Sequence, residues 1–360
     1  MVGVKALENA LPYLSCTDPG CNGCLELKGG SFQAGEMGKK IASGYLACSC
    51  GREYKISGGI PYFFDFSEDR RGREIPEIEA DITEYALEGN AKMCLDRFTQ
   101  LAYRLSEECG SDLEAIKEIF RFETGMVRCL DEGGKAMVSQ AATAARYNLE
   151  RYRGCYTLPE KVTGRIRDPY LPEGVIFEGA MATGENLAML TRKFGGVSIG
   201  IDISERMVRE AMERTDNNER IFFAQGNLEC VPLKAGSARL VFINNVIDRI
   251  PDPPRIAGEL GRISKSGSVA AVFNCSPLQF VSPDGSKVYV PEGKRMSAED
   301  VVKSAGFEII DRYGIDDIPP WNLETIFDGS ESLPMEGVIG VKSRKCGDVC
   351  CCRYNLRGGD

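Results

Sequence analysis

No histidine occurs anywhere in the 360 residues. Imidazole is therefore excluded as base, nucleophile or metal ligand, and any catalysis falls to carboxylate, Lys, Tyr, Cys or plain positioning. Positive charge is also in deficit, with 44 Lys and Arg against 53 Asp and Glu, a net charge of −9 and a pI near 5.0. Such a balance creates no global basic field to draw the chain to nucleic acid or anionic lipid. Apolar runs of about 18 residues are missing, and the N-terminal stretch MVGVKALENALPYLSC lacks the basic-then-apolar layout of a secretion signal. These absences give the expectation of a cytoplasmic protein with no membrane partner. What the chain does contain is ordinary globular composition, 43% hydrophobic and 27% charged, together with 15 cysteines. In a long intracellular chain such cysteines bind metal or sit reduced in the core more often than they form disulfides.

Three composition regimes follow one another, ahead of a short tail. Residues 1–64 are rich in Cys and Gly, with strand-like runs GYLAC and REYKIS between turn residues. Residues 74–157 turn helical: Ile78, Ile82, Tyr85, Leu95, Phe98, Leu101 and Leu105 recur near i, i+3, i+4, i+7 in what reads as one first helix. A second helix is expected over DLEAIKEIFRFETGMVRCL with Asp112 as N-cap, and a third over KAMVSQAATAARYNLERY. From 165 to 343 strands alternate with helices. The expected strands are 174–178, 197–202, 220–224, 239–243, 268–273, 307–311 and 336–342, with helices starting near Gly184, Ser204, Pro253 and Ser297. Alternation predicts an α/β, Rossmann-like, parallel doubly wound sheet with ligand at the carboxyl ends of its strands. Residues 344–360 form a Cys-rich tail.

The chemistry-bearing stretch is VIFEGAMATGENLAML, residues 175–190. A strand ending at Glu178, a small-residue turn and a helix N-terminus let backbone amides approach a ligand closely. Ala180 and Ala182 stand where glycine is expected, and if those positions need φ > 0 each costs about 1 kcal/mol relative to Gly. A second strand then closes on Asp202, placed to accept from vicinal ribose hydroxyls. A third leads to GNLECVPL and a fourth to NNVIDRIPDP. Glu178 or Asp202 could equally be ordinary solvated strand-end acids, and Asn244 and Asn245 could serve only the loop backbone.

This ordered series resembles class I S-adenosylmethionine-dependent methyltransferases, and in texture the group that includes the ubiquinone and menaquinone biosynthesis enzymes. The resemblance implies a seven-stranded methyltransferase sheet and S-adenosylmethionine (SAM) as cofactor. It lays the glycine-rich motif on Glu178, Ala180, Ala182 and Gly184, and the ribose-binding acid on Asp202. The adenine-edge position falls on Asn227, which retains a carbonyl acceptor for the adenine amine, and the residues beneath the methionine moiety on Asn244 and Asn245. Gly179, Ile203, Met207 and Leu228 complete the implied cofactor set. Where many relatives carry His after the fourth strand, this chain has Arg249, suited to a substrate carboxylate or phosphate or to an ordinary ion pair. Asp248 and Tyr289 are the candidate bases. Residues 74–153, 274–296 and 312–335, with Tyr289, Trp321 and Asn322, are expected to wall the acceptor site.

At the N-terminus, Cys16-x4-Cys21 and Cys48-x-Cys50 fall near the spacings of a structural zinc site, with disulfides as the alternative. The stretch CGREYKISGGIPYF resembles the zinc-ribbon activator subunits of tRNA and release-factor methyltransferases. That resemblance selects Cys16, Cys21, Cys48 and Cys50 as zinc ligands and leaves Cys24 spare. Similar ribbons precede ribosomal RNA methyltransferases, but six basic and five acidic residues in positions 1–60 make no RNA footprint. A structural or protein-contact role fits better. Cys346, Cys350, Cys351 and Cys352 of the tail raise a rival, a metal- or thiol-handling protein such as an arsenite methyltransferase relative. A second rival is a non-catalytic, methyltransferase-like scaffold. The favoured reading is methyl transfer to an unidentified acceptor, a small molecule or protein rather than RNA.

Overall fold

The computed structural model describes residues 3–18, 20–35, 38–63, 74–149, 164, 166, 173–215, 218–247, 250, 252–275, 296–314, 321–324, 330–333 and 335–343. Helix α1 (Val4–Ala10) precedes a four-stranded antiparallel sheet, β1 (Leu25–Gly35), β2 (Gly38–Cys48), β3 (Glu53–Ser57) and β4 (Ile60–Pro61), paired in that order. The expected runs GYLAC and REYKIS fall on the end of β2 and on the whole of β3. The missed hairpin, LKGGSFQAGEMGKK, is poor in apolar alternation and is held by its ladder, with a register shift around Ser31.

Four helices follow: α2 (Ile75–Leu87), α3 (Ala91–Cys109), α4 (Asp112–Met126) and α5 (Glu132–Leu149). Their apolar stripes meet in a separate core built on Ile78, Ile82, Phe98, Leu101, Ile116, Ile119 and Val138. Burial of each such side chain stabilises by about 1.5–3 kcal/mol. Two expectations need correction here. The first run is two helices, because Gly89 breaks it and Asn90 caps the next, accepting from the Met93 amide at 3.2 Å. The N-cap of α4 is Ser111, and Asp112 is the first helical residue, where its carboxylate accepts from Ser106 at 2.6 Å.

The main sheet has the order β10-β13-β9-β8-β5-β6-β7. Its members in chain order are β5 (Val175–Gly179), β6 (Ser198–Asp202), β7 (Ile221–Gln225), β8 (Ala238–Asn244), β9 (Ser264–Cys275), β10 (Phe307–Tyr313) and, after a two-stranded hairpin of β11 (Trp321–Glu324) and β12 (Ser330–Leu333), β13 (Met335–Lys342). Helices α6 (Glu185–Phe194), α7 (Glu205–Arg214), α8 (Pro253–Ile263) and α9 (Ala298–Ser304) make the crossovers. Every residue of β5 through β8 is buried, as strands covered on both faces require. The sheet is mixed rather than wholly parallel: β13 runs antiparallel to both β9 and β10. The described connection from β10 to β13 contains strands and no helix, so the chain returns in the opposite direction. Strand order reverses around β5, with β6 on one side and β8 on the other, which opens a crevice at their carboxyl ends. No described helix is long and apolar enough to cross a membrane.

The N-terminal unit is seated on this sheet. Ser15 N–H donates to Pro232 O at 3.1 Å, Lys234 N–H to Tyr13 O at 2.9 Å and Phe63 N–H to Gln225 O at 3.0 Å. Tyr62 and Gln225 form a parallel bridge beside β7. Leu7, Leu14, Ile41, Leu46 and Ile56 share one core with Phe222 and Phe223, so the N-terminal unit and the sheet pack as a continuous interior.

Candidate cofactor site

Ala180 and Ala182 stand at φ 52° and 47°, and Asn245 at φ 54°. All three lie after strand ends at the crevice. Gly184 follows at φ 72° and opens α6, where an added Cβ would come within 3.0 Å of Phe223 and 3.1 Å of Ala211. Gly179 is needed for close approach: a Cβ there would overlap Leu228 at 2.1 Å. The left-handed turn is held from outside itself. Ala182 N–H donates to Asp202 Oδ2 at 2.9 Å, and Ser204 N–H donates to Asp202 Oδ1 at 2.9 Å. Each carboxylate oxygen keeps a second lone pair.

Glu178 lies beneath this turn, 1% exposed, taking hydrogen bonds from the Asn186 side chain and the Leu187 amide. Burial pushes its carboxyl up to about 8, the nearby Asp202 acting in the same direction. Burial likewise raises Asp202 to about 6, against the pull of its backbone donors. Neither is a solvated strand-end acid.

An open cleft lies above the strand ends. Ala180, Ile203, Gly226, Asn227, Leu228, Val246 and Ile250 form its floor and sides, while Gln140, Thr143 and Ala144 of α5 close it from the helical unit. All three lie within the stretch 74–153 expected to wall the acceptor site, though the sequence reading singles out none of them. The available signal was the small-residue run SQAATAA, which lets a helix approach a neighbouring surface closely. Ile203 is the sheet's apolar contact with the helical core. Below it, Ser204 Oγ donates to Asn148 Oδ1 at 3.0 Å, and Arg206 donates to the carbonyls of Asn148 at 3.1 Å and Leu149 at 2.8 Å, satisfying the end of α5.

Other sequence-selected residues fall as follows. Met207 is buried and its amide donates to Ser204 Oγ at 3.3 Å, the N-cap bond of α7, and it does not line the cleft. Asn244 and Asn245 are buried at the end of β8, Asn245 N–H donating to Phe273 O at 2.8 Å. Asn227 Oδ1 accepts the Glu229 amide at 2.9 Å and keeps a second lone pair. Asp248, Arg249, Tyr289 and Cys346, Cys350, Cys351 and Cys352 lie outside the described residues, as do the side chains of Trp321 and Asn322.

At the N-terminus, the Sγ atoms of Cys16, Cys21, Cys48 and Cys50 lie within 4.8 Å of one another. Cys21 and Cys48 are 3.5 Å apart and Cys16 and Cys50 3.7 Å, beyond the roughly 2.05 Å of a disulfide and close to the roughly 3.8 Å edge of a zinc tetrahedron with 2.3 Å bonds. The amides of Asp18, Gly23 and Cys50 face Cys16, Cys21 and Cys48 at 3.4–3.5 Å. Cys24 is exposed and apart from the four.

Comparison with known proteins agrees with this geometry. Residues 178–272 match a family model described as a methyltransferase domain. A curated relative, an uncharacterized 37.1 kDa protein in a transposon of Streptomyces fradiae, is 24% identical over 174 residues, 39% of this chain and 50% of its own. The chain thus spans about half the length of that relative. Similar solved structures include geranyl diphosphate C-methyltransferase from Streptomyces coelicolor (TM-score 0.44, 12% identity, 57% of this chain and 97% of that one). A SAM-dependent methyltransferase from Aquifex aeolicus gives TM-score 0.36 and 17% identity over 51% and 88%. The [4+2]-cyclase SpnF gives 0.40 and 14% over 51% and 81%. The mixed seven-stranded sheet is Rossmann-like, and residues 178–272 within it match a methyltransferase domain.

Proposed function

We propose that the chain transfers a methyl group from SAM to a small-molecule or protein acceptor. The observation that carries this reading is the cleft at the carboxyl ends of β5 to β8, bordered by a left-handed turn whose Ala182 amide is tied to Asp202. The bound sulfonium would supply an electrophilic methyl group, and in-line displacement leaves positioning as the main source of acceleration. In this arrangement the free lone pairs of Asp202 receive the ribose hydroxyls. Ile203 and Leu228 flank the base, and Asn244 and Asn245 lie beneath the amino-acid moiety. Glu178 acts as a positioning residue, joining the turn to the first turn of α6. An acceptor that is a thiol or has a low pKa needs no base.

Four sulfurs at tetrahedral separations with amides facing three of them suit one zinc ion held for structure by Cys16, Cys21, Cys48 and Cys50. The N-terminal unit then serves as a built-in counterpart of the activator-type ribbons, its backbone bonded to Gln225, Pro232 and Lys234 of the catalytic unit.

Calorimetric titration of zinc-replete protein with SAM and S-adenosylhomocysteine, with Asp202→Ala as control, tests the proposal. Micromolar binding that is lost in a folded Asp202→Ala variant is expected. Absence of binding by folded wild-type protein would replace it with a non-catalytic scaffold.

A further inference from the structure

Around the four clustered sulfurs of the N-terminal unit, hydrogen-bond donors are distributed unevenly. Cys16 is 4% exposed and faces two, the Asp18 amide at 3.5 Å and the Tyr54 hydroxyl at 3.0 Å. A thiolate at Cys16 cannot donate, so the phenol proton points to Sγ, while Tyr54 O accepts from the Thr17 amide at 2.7 Å and the Thr17 hydroxyl at 3.1 Å. Cys21 faces the Gly23 amide at 3.4 Å and Cys48 the Cys50 amide at 3.5 Å. Cys48 is also covered: a Cβ on Gly23 would come within 2.4 Å of its Sγ. Cys50 differs on both counts. It is exposed, and among the described residues its sulfur meets other sulfurs, Cys16 Sγ at 3.7 Å and that of Cys21, and no N–H or O–H donor.

A hydrogen bond to a thiolate draws charge from sulfur and lowers its reactivity toward electrophiles, and burial blocks their approach. Thiolate character and exposure together select the cysteine that reacts. Three members of the set are thus quenched or covered, and one combines charge with access. We propose that Cys50 is a modification site for soft carbon electrophiles of the activated-alkene class. The assignment rests on the zinc reading above, because a metal-held thiolate supplies the nucleophile. A sulfur lone pair of Cys50 forms the S–C bond at one alkene carbon, the π pair of the alkene moves to its neighbour, and that carbon takes a proton from water, leaving hydroxide. The product is a neutral thioether, a weaker fourth ligand than the thiolate, so modification opens the site.

Treatment of the full-length, zinc-loaded chain with substoichiometric N-ethylmaleimide provides the test, read by peptide mapping and by zinc appearing in solution. Among the four ligands, in chains carrying one adduct on that set, Cys50 should be labelled about 10-fold or more over each of the others, the factor that one hydrogen bond to a charged sulfur represents. Zinc release should rise in step with Cys50 occupancy. Cys24, exposed but apart from the four, should react as well, and Cys24→Ser should leave zinc release unchanged. Adducts spread evenly over the four ligands, falling first on Cys16, Cys21 or Cys48, or absent from all four would overturn the assignment and leave the zinc reading standing. So would a Cys50 adduct that retains zinc, or release that vanishes in Cys24→Ser. A folded wild-type chain that takes up no zinc would overturn both.

Discussion

Ala180 and Ala182 adopt backbone angles that cost an L-residue about 1–2 kcal/mol, and part of that cost is regained from the stiffer unfolded chain. Ala182→Gly should therefore raise unfolding free energy by about 1 kcal/mol or less, and Ala182→Val should lower it by more than that, in urea titrations. Which two positions depart from glycine is visible in the sequence. That they nonetheless sit at positive φ is not, because the restraint is the Asp202 carboxylate 20 residues on. Glu178 carries a separate signature. Its folded carboxyl keeps its proton to about pH 8, whereas the ordinary value is 4.5. Between those values the folded chain binds the extra proton, so stability falls as pH rises and levels off above about 8. Asp202 contributes with the same sign between 3.8 and about 6. Glu178→Gln removes the first contribution, so the variant should gain on wild type steadily from pH 5 to 8. A pH-independent difference between the two would count against the buried, protonated carboxyl.

Helix α5 joins the helical unit to the cofactor crevice through Asn148 and Arg206. Asn148→Ala removes the Oδ1 that accepts from Ser204 Oγ and, at 3.4 Å, from the Arg206 amide, at a cost of about 1–3 kcal/mol, and leaves the guanidinium contacts to the helix carbonyls in place. Hydrogen exchange across residues 132–149 should accelerate while β5 to β8 stay protected. Elements of this kind differ in how far the sequence reveals them. The strands of the main sheet are legible because buried parallel strands read as short continuous apolar runs, and each lies close to its expected span. The antiparallel course of β13 is not legible, since direction depends on the connection and leaves no trace in periodicity. The placement of Gln140 and Thr143 over the crevice is hidden for a similar reason: helical spacing tells which face is apolar, not which neighbour that face meets.

At the scale of the whole molecule, the cysteine cluster and the cleft are mechanically joined. Cys230 Sγ donates to Thr17 O at 3.0 Å, one residue from Cys16 and within the turn that begins at Asn227. Chelation of the metal, or Cys48→Ser, should lower the unfolding temperature and weaken S-adenosylhomocysteine binding together. Loss of metal with unchanged cofactor affinity would show the two sites to be independent. The bridge between Tyr62 and Gln225 carries a last consequence, for solubility. The two outer strands of the main sheet are defended differently. β10 exposes Glu308 and Arg312 on either side of Ile310, so charge discourages a foreign strand. β7, with the sequence IFFAQ and every residue buried, has no such protection of its own and relies on the N-terminal unit lying against it. A truncated chain starting at residue 74 would present that strand as an open template, and should accumulate as aggregates even where the remaining domain can still fold.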